Sequence, residues 1–519
     1  MNSTTGQESG IFTESSPALH GGFPMRTRFN PQPRLDCPPI GEIKLNLNCR
    51  DEIIPILRAL QHIYSDSKLR REILDLVGED VNRETSTEHG RPGMDYWQII
   101  VLAAVRLGCD LDYDKLQDLA EQHRNLRLFM GIGDWQEEVD FDWRRIRDNL
   151  CHLRPETLTK INRLVVAAGH KLAPEAVKTV RGDTFVVETN IHHPTESSLI
   201  GDGLRKVLPL AAELAEQHGL SGWRQHEHIL QNVRKLVQKI GRASRAKGKG
   251  GPERLKKLYR ELLDLAKELL RRAKQLLVSL AFQVQDSQEG IWSASVMPPA
   301  MRLHHYLELT RKVCDTARRR VLLGETVPNA EKIFSIFEPE TELIKRGKQA
   351  KPIQYGHNVL VIEDGVGFIC EYQVVGKGVL DQDLVVPVMK KLQKRVGGKI
   401  ERASFDRSFH TPDNQEHLGK IVRTPCIASK GQEKGRKQQK EGTVAFRKAR
   451  QSHPGVESAI GAMQAGNGLE RCRDKTDRGY ERYVGLGVLG RNLHTLGKLL
   501  LAQENAQCEA AQSRRKEAG

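Results

Sequence analysis

One short β-branched run, Thr184–Ile191 (TFVVETNI), reads as a strand, yet the next strand-like runs come only at His357–Glu363 and Gly367–Val375. Helical periodicity fills the chain from about 198 to 345. The order is strand, helical insert, hairpin, helix, strand, strand, helix. With the insert looped out, the remainder is a mixed sheet flanked by helices, so the fold class is α/β. The later strands are well marked. Asp364–Gly365 between two apolar runs is a hairpin signal. A helix is expected at about 384–395, then a strand Ile400–Phe405 that ends at Asp406, and another at Lys420–Cys426. The basic stretch Lys430–Glu441 reads as a mobile loop, and Pro454 to about Ala502 as helical.

Within the insert, Leu255, Leu258, Leu262, Leu265 and Leu269 recur at alternating three and four residues, a seam that breaks at Arg272 and resumes at Leu276. It is too short for an extended coiled coil, and an antiparallel helical hairpin is expected, with the basic, Gly-rich Lys239–Gly251 at its tip. Ahead of the first strand, residues 50–172 are helical in pattern. Met94–Leu107 is apolar nearly all round and should be buried. Helices are also expected at Tyr113–Phe129 and at Phe141–Leu153, the latter with Arg144, Arg145 and Arg147. A helix-turn-helix-like DNA-binding unit suits that series, and a plain bundle with solvated arginines suits it equally. The expected division is a disordered tail 1–45, a helical domain 46–175, a sheet domain from 176–196 with 350–505, the insertion 197–349, and a disordered tail 506–519.

Lys and Arg number 81 against 66 Asp and Glu in 519 residues, a formal net charge of +15. That excess favours a polyanionic partner, since each neutralised phosphate releases counterions. No apolar run approaches the ~18 residues of a membrane span, and the first residues lack the pattern of a secretion signal. The nine cysteines include no C-x-x-C pair. Neither a zinc motif nor a redox motif is therefore expected, and reduced thiols in a cytoplasmic, nucleoid-associated protein are.

Phosphodiester cleavage without a covalent intermediate needs an activated water and a stabilised leaving oxyanion, which two Mg²⁺ ions can supply. Such ions are held by a few carboxylates from remote parts of a chain. Three positions fit. Asp183 opens the first strand in Arg-Gly-Asp-Thr-Phe, Asp406 ends a later one in Ser-Phe-Asp-Arg-Ser, and Glu457 starts a helix in His-Pro-Gly-Val-Glu-Ser. Taken singly, each has a plainer reading, as a turn former or a carboxylate favoured by a helix dipole. Glu188 would face away from Asp183 along the same strand, and Asp202 falls after it. His192 and His193 read as a polar turn before Pro194. No G-x-S-x-G elbow supports a serine nucleophile.

The stretches Asp183–Asp202, Ser404–Asn414 and His453–Leu496, the last with HPGVESAIGAMQ and GLERCRDKTDRGYERYVGLGVLGRNLHTL, resemble ISNCY-type bacterial insertion-sequence transposases of the DDE superfamily. Gly90–Gly133 is similar to the N-terminal helical domain common in such enzymes. The resemblance implies an RNase H-like catalytic fold and a metal-binding, catalytic triad at Asp183, Asp406 and Glu457, with Mg²⁺ as the ion and Mn²⁺ as a substitute. It implies double-stranded DNA partners, both terminal inverted repeats and target DNA, and a homodimer or larger assembly on them. Candidate DNA contacts are Arg144, Arg145, Arg147, Lys448, Arg450, Arg471, Arg473 and Arg478, where phosphate contacts would position the duplex without reading its sequence. An inactive DNA-binding derivative and a stand-alone RNase H-like nuclease are the alternatives. Leu486, Leu489, Leu493, Leu496 and Leu500 form an apolar stripe expected in the core, and Gly485, Gly487 and Gly490 should let that helix approach the sheet closely.

Overall fold

A computed structural model describes residues 27–29, 35–47, 49–83, 93–136, 140–246, 250–286, 290–345, 351–429 and 441–517, with side chains left out for 283–296 and 515–517. Most of the expected 430–441 loop, the first part of the expected N-terminal tail and the centre of the 239–251 tip lie outside them. The protein is mixed α/β. Seven helices precede the sheet: α1 (Ile53–Ser65), α2 (Ser67–Val81), α3 (Tyr96–Gly108), α4 (Tyr113–Gln122), α5 (Arg124–Phe129), α6 (Trp143–Cys151) and α7 (Pro155–Leu172). As expected from its apolar sequence, α3 is buried at every position except Gln98, and Asp95 with Gln98 closes its N-terminus in a capping box. The expected single helix 113–129 is two, because His123 leaves the helical region and caps the second by accepting from Leu126 N.

The sheet holds β1 (Thr179–Thr189), β2 (Glu342–Lys345), β3 (Ile353–Asp364), β4 (Ile369–Val374), β5 (Arg402–Phe405), β6 (Thr424–Ile427) and β7 (Arg471–Cys472). Its main path runs β2-β3-β1-β5-β6. β3 is antiparallel to β1, and both β4 and β2 are antiparallel to β3 on its far edge. On the other side of β1, β5 and then β6 run parallel to it. The Asp364–Gly365 turn joins β3 to β4 as expected, and Asp364 Oδ1 accepts from the backbone N–H groups of Val366, Gly367 and Phe368. Around the later strands lie α12 (Asp381–Arg395), α13 (Pro412–Ile421), α14 (Val444–Ser452), α15 (Pro454–Gly466) and α16 (Asp477–Glu517).

The insertion is a bundle of four helices, α8 (Glu196–Gln217), α9 (His226–Ala243), α10 (Gly251–Asp286) and α11 (Gly290–Ala317), followed by a π-helical turn, Arg318–Leu322. The expected hairpin exists as α9–α10, with Arg272 of α10 donating to Gly222 O just before α9, but it is half of a larger unit. Its seam does not break at Arg272. Tyr259, Leu262, Ala266, Leu269, Ala273, Leu276 and Leu280 form one buried stripe, Ala273 carrying it past the arginine. Apart from a 3-10 turn at Asn329–Glu331, helix ends at Leu322, short of the expected 345, and β2 within that range belongs to the sheet.

Buried apolar residues fall into two large clusters. One runs from Leu199 to Ile336 inside the bundle. The other runs from Cys37 to Leu500 and joins α1–α7 to the sheet and to α16. The apolar faces of the helices within 46–175 are closed by α16, which packs on α1, α3 and α7. Gly490 and Gly497 make that approach possible: a Cβ at Gly490 would stand 2.7 Å from the Gly108 backbone, and one at Gly497 1.8 Å from Pro55 O. The glycine close approach is thus mainly to helices, although Gly485 does meet Tyr372 of β4. The leucine stripe 486–500 is buried as expected.

Both expected tails differ in their described parts. Cys37, Ile40 and Ile43 are buried, and Gln61 donates to the carbonyls of Ile40 and Ile43. At the other end α16 continues to Glu517, since Ala, Gln, Glu, Lys and Arg there are good helix formers even when exposed.

Candidate functional site

β1 lies at the centre of the sheet with residues of alternating orientation. Arg181 and Asp183 share one face, and the parallel pairing of β1 with β5 matches Arg181 to Ser404 and Gly182 to Phe405. Asp183 and Asp406 are the residues that follow this last pair, Asp183 within β1 and Asp406 just after β5. The strands approach closely here, since a Cβ at Gly182 would meet the Phe405 ring at 2.4 Å. Asp406 is half-exposed just beyond β5, and Asp183 Oδ1 accepts from Thr184 N at 2.7 Å.

α15 brings the third carboxylate. It packs against β1, with Pro454 in its first turn and Glu457 one residue further in than Val456, which is fully buried. Its N-terminus is fixed to the sheet by a half-buried arginine and a buried histidine. Arg181 donates from Nε to Glu363 Oε2 at 2.5 Å and from Nη1 to Ser452 O at 2.9 Å, and its guanidinium fills the space beside Gly455. His453 Nδ1 stands 3.3 Å from Ser404 Oγ. Burial, then Arg450, holds the His453 imidazole below its ordinary range, while Asp406 and Glu457 pull it up. Burial also raises Glu363 against the opposing pull of Arg181.

Of the expected cations, Arg450 is the one placed at the carboxylates, 4.0 Å from Asp406 Oδ1, and its Nη1 is buried with no hydrogen-bond partner. Lys448 is exposed on the same helix, α14. The remaining candidates are elsewhere. Arg144 and Arg145 are exposed on α6, which packs on α3 and α4, and Arg147 pairs with Asp148. Arg471 pairs with Glu188 at the far end of β1. Arg473 is committed to Asp110, joining the β7 segment to the α3–α4 turn, and Arg478 is exposed at the start of α16. Glu188 also meets Lys351 and Gln354, and Asp202 meets His192 and Arg205, so neither belongs to the carboxylate group.

Arg181, Glu363, Ser404 and His453 were not singled out from the sequence. The signal for Arg181 was its position two residues before Asp183, hence on the same strand face; Glu363 depends on cross-strand register, which no local pattern encodes. Among the described residues no helix is long and apolar enough to cross a membrane. Comparison with protein-family models, with curated proteins and with solved structures returns no match.

Proposed function

We propose that the chain is a DDE-type transposase with an RNase H-like catalytic sheet, which cleaves the ends of an insertion element and joins them to target DNA. The observation that supports this reading most is the parallel β1–β5 pairing, after whose last pair, Gly182 with Phe405, Asp183 and Asp406 follow on the two strands, while α15, which bears Glu457, packs on β1. A mixed sheet flanked by helices, with a helical insertion after its first strand, is the arrangement the reading asks for. The formal charge of +15 suits a nucleic-acid partner.

The donor types suit hard divalent cations, three carboxylates and no thiol with a half-exposed Asp406 that substrate oxygens and water can reach; their oxygens do not all lie within 4.8 Å of one another in this structure, so side-chain movement would accompany metal binding. Asp183, Asp406 and Glu457 would hold two Mg²⁺ ions, which supply an activated water and neutralise charge on the leaving oxygen. The chain's own groups bind and position. Arg450, with a buried unpartnered Nη1, offers a charge-assisted hydrogen bond to a phosphate oxygen beside Asp406. Arg181 and His453 hold the first turn of α15 against β1 and β5, so Glu457 is presented from a rigid support.

The test uses element-end DNA taken from the sequence flanking the reading frame. D183N, D406N and E457Q should each lower cleavage by about 10³-fold or more, with end binding within about twofold of the unaltered protein. Full cleavage by D183N or D406N contradicts the site. Cleavage without any joining of ends would instead identify a nuclease.

A further inference from the structure

Where the β3–β4 hairpin meets α7, three side chains converge that the carboxylate site does not use. His170 Nε2 stands 2.8 Å from Asp364 Oδ2, Cys370 Sγ 3.7 Å from the same oxygen, and Cys370 Sγ 3.9 Å from the same imidazole nitrogen. A proton relay would engage the two ring nitrogens on opposite sides. Here the thiol and the carboxylate meet one nitrogen, so the three atoms enclose a point rather than form a chain. Around a tetrahedral zinc ion, with bonds of about 2.3 Å to sulfur and about 2.0 Å to nitrogen and oxygen, neighbouring ligand atoms stand about 3.3–3.6 Å apart. The observed triangle needs only a few tenths of an ångström of adjustment, mostly an opening of the His170–Asp364 contact.

The surroundings are those of a built site. Asp364 is fully buried and Cys370 nearly so, and the second carboxylate oxygen of Asp364 is fixed by three backbone N–H groups of the β3–β4 turn. That is the outer support which orients a ligating carboxylate. His170 and Cys370 also line a cavity of about 610 Å³, whose other walls include Lys171, Arg395 and Lys399. The cavity provides an entry path, and room for a water or a small anion as fourth ligand.

We infer that His170, Asp364 and Cys370 form a site for a borderline-soft divalent cation, zinc in the first instance, which ties α7 to the β3–β4 hairpin. Imidazole, thiolate and carboxylate together select such an ion over Mg²⁺. The site is separate from the carboxylate group: Asp364 pairs with Val180, three residues back along β1 from Asp183, on the order of 10 Å at the strand rise. It stands or falls independently of the proposed DNA chemistry.

Co²⁺ is the probe, titrated into the full chain after chelator treatment. One equivalent should bind with a thiolate-to-cobalt charge-transfer band and tetrahedral visible bands, and Zn²⁺ should displace it. C370S should abolish the charge-transfer band, and H170Q should weaken binding by about 10–100-fold. Circular dichroism reports whether each variant folds, and H170Q, at a partly exposed position, decides the matter if C370S does not. No charge-transfer band in the unaltered protein, the same band in folded C370S, or undiminished affinity in H170Q overturns the site.

Discussion

The bundle and the sheet unit bury apolar surface in different ways. The bundle core draws on residues Leu199 to Ile336, one continuous stretch of the chain, with a leucine–alanine stripe along α10. The sheet unit draws on residues Cys37 to Leu500, and its defining contacts join chain segments hundreds of residues apart, such as α1 with α16. Local contacts need little loop closure, whereas remote ones must overcome it first. The bundle can therefore form and melt as its own unit, while the sheet unit is assembled only when both ends of the chain arrive. The ends of the insertion are tied where it leaves the sheet unit, by an ion pair of Arg320 with Glu196. The three candidate carboxylates, Asp183, Asp406 and Glu457, all lie in the longer-range unit.

Two unfolding transitions are the expected consequence, and substitutions in each core should separate them. The largest effect is expected from Leu303→Ala in the bundle, where the side chain is fully buried. Loss of about 2–5 kcal/mol should lower one calorimetric transition and leave the other in place. Equal movement of both would make the two cores a single cooperative unit. Gly497→Ala comes next. Its new methyl group would meet the Pro55 carbonyl, which is backbone and cannot turn aside, so the cost should reach the upper end of ~1–3 kcal/mol and fall on the other transition.

The smallest effect is one of pH. Burial, with help from Lys498 and Arg491, holds His494 on α16 down to about 4 from its ordinary 6.5. Its native pKa lies below the unfolded one. As pH falls from about 6.5 toward 4, the unfolded chain therefore binds a proton that the native chain refuses, and stability drops across that window. His494→Gln should flatten this slope for the sheet-unit transition alone; a flattened bundle transition would contradict the division.

The same contrast explains what the sequence made legible. The all-round apolar α3 and the Asp-Gly turn are local patterns and are where the sequence put them; β1 starts earlier, at Thr179, so Asp183 lies inside the strand and does not open it, and the buried stripe of α10 passes Arg272 through Ala273. β2 and β7 are two to four residues long and carry no period. α14 is hidden in basic residues, and α13 occupies part of a run whose Val and Ile suggested a strand. The unity of α1–α7 with the sheet depends on glycines in α16 whose partners, Pro55 and Gly108, no local pattern names. For the carboxylates, sequence order was readable, but the supports were not: Glu363 reaches Arg181 only through β1–β3 register, and His453 meets Ser404 only once α14 has packed against β5.

The most direct test of the central claim is a crystal structure of the protein with Mn²⁺ and element-end DNA, read by anomalous scattering. The account predicts anomalous peaks enclosed by the carboxylates of Asp183, Asp406 and Glu457. Manganese bound elsewhere, with these three side chains too far apart to share it, would contradict the account.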